Sequence, residues 1–129
     1  MKRSLLIVSC LLMFAFPIMA ASPDISHPVM RELFEPFREA LMKLTPDAQG
    51  IYSVVNEGAM LVALFDPSYN YVLIQEGANV AIYWVYSGQV EVYEFTGFGW
   101  MPVDLKDIPN FEDIIKEIYN KLFVTGVPI

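Results

Sequence analysis

Between Ile51 and Phe95 the chain is a series of apolar, β-rich segments separated by gaps that leave room only for turns. The segments are Ile51–Val55, Ala59–Phe65, Tyr71–Gln75, Asn79–Tyr86 and Gln89–Phe95, rich in Val, Ile, Leu, Tyr and Trp. Asn56-Glu57-Gly58, Asp66 to Asn70, Glu76-Gly77 and Ser87-Gly88 separate them. Gaps of this length and composition close hairpins, whereas a parallel crossover needs roughly a dozen residues or more. An antiparallel meander of five strands is expected. Trp100 to Val103 adds a sixth at an edge, because Pro102 cannot donate to a ladder.

Helical patterns flank this region. From Val29 to Leu44 the apolar residues Val29, Leu33, Phe37, Ala40, Leu41 and Leu44 recur at helical spacing. Ser26 is placed to cap that helix and Pro28 to enter it, after a loose polar start at Ser22 to His27. Pro36 inside the pattern predicts a kink or a break into two short helices, and Pro46 ends the segment. Near the other terminus Asn110 is placed to cap a helix with the stripe Phe111, Ile114, Ile115, Ile118 and Leu122. Glu112, Asp113 and Glu117 come early and Lys121 late, the order that suits the helix dipole, and Gly126 is a natural stop. The expected fold is α+β: an N-terminal kinked helix, an antiparallel meander of five to six strands, and a C-terminal amphipathic helix packed on the sheet.

The middle strands are apolar on both sides. Val80, Ile82, Trp84 and Tyr86 oppose Ala81, Tyr83 and Val85, and Ala59, Leu61, Ala63 and Phe65 oppose Met60, Val62 and Leu64. A sheet with one wet face alternates apolar with polar residues, so both faces here call for cover. Either the helices take one face each, or both take the same face and leave the other to a partner.

Ahead of this domain, Lys2 and Arg3 precede an uncharged run from Ser4 to Phe16, then Pro17 and the small residues Ala20, Ala21 and Ser22. That order is the one found in a cleavable secretory signal peptide, here residues 1–21, with cleavage after Ala20 or Ala21. The apolar stretch falls short of the roughly 20 residues that span a bilayer, which argues against an uncleaved anchor. A lipid-modified Cys10 is opposed by the apolar run continuing past it. A single acidic domain, residues 22–129, is expected to be exported to the periplasm or secreted. The chain's only cysteine lies in the signal, so the domain has no disulfide and relies on packing.

The chain carries 8 Lys plus Arg against 15 Asp plus Glu, a net charge of −7, and loss of Lys2 and Arg3 deepens it. Such a domain repels nucleic acid and anionic membrane surfaces, whose binding rests on Lys and Arg. It attracts a basic partner, and the same charge keeps an exported protein soluble.

Catalytic constellations are short of parts. His27 is the sole histidine, beside Pro28, and the domain has no cysteine for a Cys-His pair or a thiolate zinc site. Gly97-Phe98-Gly99 lacks the lysine and strand-to-helix setting of a phosphate loop. Asp66 to Asn70 begins like a calcium loop, but Tyr71 stands where glycine is needed and Gly77 where the bidentate glutamate belongs. A type I turn is expected there instead. Glu91 and Glu94 should point to opposite faces of their strand, and Asp104 and Asp107 read as turn formers. No catalytic residue, metal ligand or cofactor site is singled out.

The aromatic residues of the hairpins carry more information. Tyr and Trp anchor interfaces because they bury much area and keep a polar tip, and flanking glycines let a loop present an aromatic ring. Tyr69, Tyr86, Phe98 and Trp100 are therefore the candidate partner-binding residues, with Trp84 expected in the core. The expected function is that of a small non-enzymatic protein-binding domain, of the inhibitor or immunity type, against a basic protein. The alternatives are a homodimeric envelope component using the second sheet face, and a carrier of a small apolar ligand in a cavity lined by Tyr and Met.

Overall fold

A computed structural model of the chain describes residues 25–26 and 28–124. The expected signal segment 1–21, Cys10, His27 and the expected stop at Gly126 lie outside the described residues. The elements are β1 (Ile25–Ser26), α1 (Pro28–Leu41), β2 (Tyr52–Asn56), β3 (Leu61–Asp66), β4 (Tyr71–Glu76), β5 (Asn79–Trp84), β6 (Gln89–Phe95) and β7 (Trp100–Val103). A 3-10 turn at Leu105–Asp107 then leads to α2 (Phe111–Tyr119), whose last turn widens into π geometry over Asn120–Val124.

The expected α+β architecture is the one formed. The sheet is antiparallel throughout, in the order β1-β6-β5-β4-β3-β2, with β7 also on β6. β1 and β7 share the outer edge of β6: β1 lies against Gln89 and Val90, β7 against Val92 to Phe95. The polar start is therefore not wholly loose, since Ile25 and Ser26 pair with β6.

Strand ends differ from the sequence pattern where a turn competes for the backbone. β3 begins at Leu61 rather than Ala59 because Met60 adopts a left-handed conformation (φ 57°) and donates to Glu57 O at 3.1 Å. β5 stops at Trp84 rather than Tyr86 because Val85 to Gly88 form the turn, closed by Gly88 N–H to Trp84 O at 2.7 Å.

The helices depart in similar ways. α1 is one continuous helix with Pro36 inside it, not two short ones. It ends at Leu41 rather than Leu44: Lys43 and Leu44 donate to carbonyls three residues back, at 3.2 and 2.9 Å, the tighter turn that closes a helix. The Asn110 side chain makes no capping bond; its carbonyl instead accepts from Ile114 N–H at 3.0 Å.

Both helices pack on one face of the sheet. Leu33, Phe34, Phe37 and Leu41 of α1 and Phe111, Ile115 and Ile118 of α2 join Leu61, Ala63, Val72, Ile74, Tyr83 and Val92 in one buried cluster. Aromatic rings zip the two helices together: Phe34 meets Phe111 at 6.3 Å, and Phe37 meets Tyr119 at 5.2 Å and Phe123 at 6.0 Å. The middle of α1 therefore meets both the first residue of α2 and its last turn. The opposite face holds a second buried cluster of Ile51, Val62, Leu64, Tyr71, Leu73, Val80, Ile82 and Tyr93, flanked by Val55, Trp84 and Trp100. Among the described residues no helix contributes to it. Of the two arrangements open to the sequence, the fold adopts the one with both helices on the same face.

Candidate functional site

A meander puts alternate turns at opposite ends of its sheet, and this divides the candidate residues. Tyr69 in the β3–β4 turn and Tyr86 in the β5–β6 turn share one end, where Val85 N–H donates to Asn70 O at 3.0 Å across the two turns. Phe98 and Trp100 belong to the β6–β7 hairpin at the other end, beside the β2–β3 and β4–β5 turns. Strands of six residues separate the pairs by about 20 Å. The four residues are not one patch.

The hairpin end presents more apolar surface. Phe98 is fully exposed, with Met60 (67 %), Met101 (54 %) and Phe95 (45 %) at the same end. The loop is held rather than loose. Thr96 N–H donates to Gly99 O at 3.0 Å, its hydroxyl donates to the same carbonyl at 3.2 Å, and Phe98 N–H donates to Thr96 Oγ1 at 3.4 Å. Gly97 makes the turn possible, since its φ of +98° is one that L side chains rarely adopt. Trp100 is half-buried, its ring 5.3 Å from that of Phe95 and its other side against the second apolar cluster. It roots the hairpin while Phe98 projects from it. The same end carries Glu57 in the β2–β3 turn, Glu76 at the end of β4 and Glu94 on β6.

The opposite end is tied by a polar network that bridges α1 and the sheet. Glu35 accepts from Arg38 Nη2 at 2.7 Å and Nε at 3.0 Å, and from the Tyr83 hydroxyl at 3.1 Å. Arg31 donates to Tyr83 Oη at 3.4 Å and to Val85 O at 3.1 Å. Burial alone would raise the Glu35 pKa, but the bonds and charge of Arg38, with Tyr83 and Arg31, hold it below its ordinary value. Burial, reinforced by Glu35, pushes the Tyr83 hydroxyl up to about 12. Tyr71 is raised as well, by burial and then by Asp66.

Acidic residues considered as chemical groups take separate structural positions. Asp66 Oδ1 accepts from Ser68 N–H at 2.9 Å and Tyr69 N–H at 3.4 Å, which closes the turn locally. Asp104 accepts from Lys106 N–H at 3.1 Å and caps the 3-10 turn. Glu91 lies buried on the second face, where Tyr93 Oη donates to it at 2.9 Å, and Glu94 is exposed on the helix-bearing face.

A cavity of about 290 Å³ lies between α2 and strands β4 to β7. Its lining is aliphatic and aromatic, chiefly Ile74, Ala81, Val92, Phe111, Ile115 and Ile118, rather than the Tyr and Met expected for an apolar-ligand carrier. Glu76, Asn79 and Glu94 complete it. These three were not singled out in the sequence, although the hairpin spacing holds the signal. The short turn after Glu76 sets it opposite Asn79, and the next turn sets Asn79 opposite Glu94. No helix among the described residues is long and apolar enough to cross a membrane. No protein-family model, curated protein or solved structure matches the chain.

Proposed function

We propose that the domain is an exported, non-enzymatic binding protein that grips a basic protein partner through the β6–β7 hairpin. The observation that carries this reading is Phe98: a fully exposed aromatic ring on a hydrogen-bonded hairpin, rooted by Trp100. An exposed aromatic on a preorganised loop loses little entropy on binding and fills a partner's pocket at full burial. Glu57, Glu76 and Glu94 at the same end suit a basic rim, and the net charge of −7 speeds the encounter. Inhibition or immunity against a basic toxin or hydrolase is the role that this chemistry fits best.

The test is affinity capture from envelope and culture fractions, identification of the captured protein, and titration of the purified pair. The wild type should bind more weakly as salt rises, and Phe98→Ala should lose at least about tenfold in affinity with its melting temperature unchanged. If Phe98→Ala binds like the wild type, the hairpin is not the site. A stable dimer on sizing with no captured partner would overturn the proposal in favour of self-association.

A further inference from the structure

We infer that the cavity under α2 is a binding site for a small aliphatic amine, with its apolar part lying along the aliphatic walls and its ammonium group held between Glu76 and Glu94. This rests on the cavity and not on the Phe98 ring; it shares Glu76 and Glu94 with the proposed partner-binding end, and titration of the isolated protein reads it without the partner.

Ile74, Ala81, Val92 and Val103 form one cross-strand rung beneath α2, and Ala81 is the small residue in it. Ala81 carries the smallest side chain of the cavity lining, between the larger Ile74 and Val92. At about 290 Å³ the cavity sits at the lower edge of the range for small-molecule sites, roughly 300–1,000 Å³. Water gains little from apolar walls of this kind, so an aliphatic occupant that covers them removes apolar surface from solvent and gains dispersion contacts.

The polarity of the occupant follows from the next rung. Glu76, Asn79 and Glu94 stand opposite one another on adjacent strands, two residues further along the same face, or about 7 Å. Asn79 lies between the two acids, which places two negative groups at one end of an apolar space. Neither carboxylate has a hydrogen-bond donor or cation among the described residues, where the ion pairs are Glu35–Arg38 and Asp104–Lys106. A neutral ligand would make no use of the two carboxylates, and a carboxylate ligand would meet repulsion. An ammonium group is a compact cation with three donors, suited to two carboxylates and an amide oxygen. The chain length is limited by the cavity, so a short linear or branched amine is expected rather than a lipid.

Octylamine, octanol and octanoate test this by calorimetric titration against the exported form of the full chain. Octylamine should bind at least about tenfold more tightly than octanol, and octanoate more weakly than either. Glu76→Gln combined with Glu94→Gln should bring octylamine down to the affinity of octanol. Both residues are at the surface end of the cavity, so the variant's melting curve should stay close to that of the wild type. Nuclear magnetic resonance with labelled isoleucine methyls should shift Ile74, Ile115 and Ile118 on addition of octylamine. Equal affinity for octylamine and octanol in the wild type, no binding of octylamine to the folded protein, or shifts confined to isoleucines outside the cavity such as Ile51 and Ile82 would each overturn the inference. Equal binding of N-acetyl-lysine amide and octylamine would do so too, because the apolar depth would then be unused.

Discussion

Tyr83 shows how one side chain joins the sheet to a helix. Its ring lies fully buried against Phe34, stacked at 5.2 Å, while its hydroxyl donates to Glu35 and accepts from Arg31. A hydroxyl that ionises at 10.0 in the unfolded chain and at about 12 in the fold contributes stability that is intact below pH 10. That stability is lost as pH rises through this window, because the unfolded chain gives up its proton first. The folding free energy should therefore decline between pH 10 and 12, and Tyr83→Phe should make the decline shallower, with Tyr71 supplying part of what remains. Glu35 works with the opposite sign. Its lowered pKa contributes stability present above its ordinary 4.5 and lost as pH falls below it, so Glu35→Gln should blunt the acid limb. Urea melts across pH on the three proteins measure both effects. An unchanged alkaline limb in Tyr83→Phe would detach the hydroxyl from the account.

At the scale of elements, α1 holds the sharpest conflict between local propensity and packing. Pro36 is an interior helix position that lacks an N–H to donate four residues back, a defect that costs about 3 kcal/mol in an isolated helix. The helix nonetheless continues through it, because Leu33, Phe34, Phe37 and Leu41 on either side are all buried against the sheet and α2. Burying side chains of that kind contributes about 1.5–3 kcal/mol each, which outweighs one lost bond. Pro36→Ala should then raise the unfolding free energy, by about 1–3 kcal/mol, with the unfolded chain's greater entropy taking back part of the gain. Chemical denaturation checks this; a loss of stability would mean that the ring of Pro36 is itself needed in the packing. The strands are simpler. Their apolar runs and turn residues placed the hairpins correctly, and only the ends moved, where Met60 and the Val85 to Gly88 turn took backbone groups from the ladder.

For the whole molecule, charge and layering matter most. With a net charge of −7 and few ion pairs among the described residues, the fold works against its own repulsion. Raising ionic strength from about 0.01 to about 0.5 M should screen that repulsion and raise the melting temperature. A fall would show that specific ion pairs outweigh the general field. By itself the sequence determined the order of helix, meander and helix, the pairing of neighbouring strands and the position of Phe98 between two glycines. These depend on local spacing and turn chemistry, which are printed in the chain. Only the tertiary structure decided that both helices share one face, that the four candidate aromatics divide between two ends, and that Glu76, Asn79 and Glu94 meet over a cavity. Strands apolar on both sides do not say which face a helix will choose. That choice is made where Phe34, Phe37, Phe111 and Tyr119 fit together across residues far apart in the chain. The cavity likewise joins residues of α2 with residues of four strands, a juxtaposition that no local spacing in the chain prescribes.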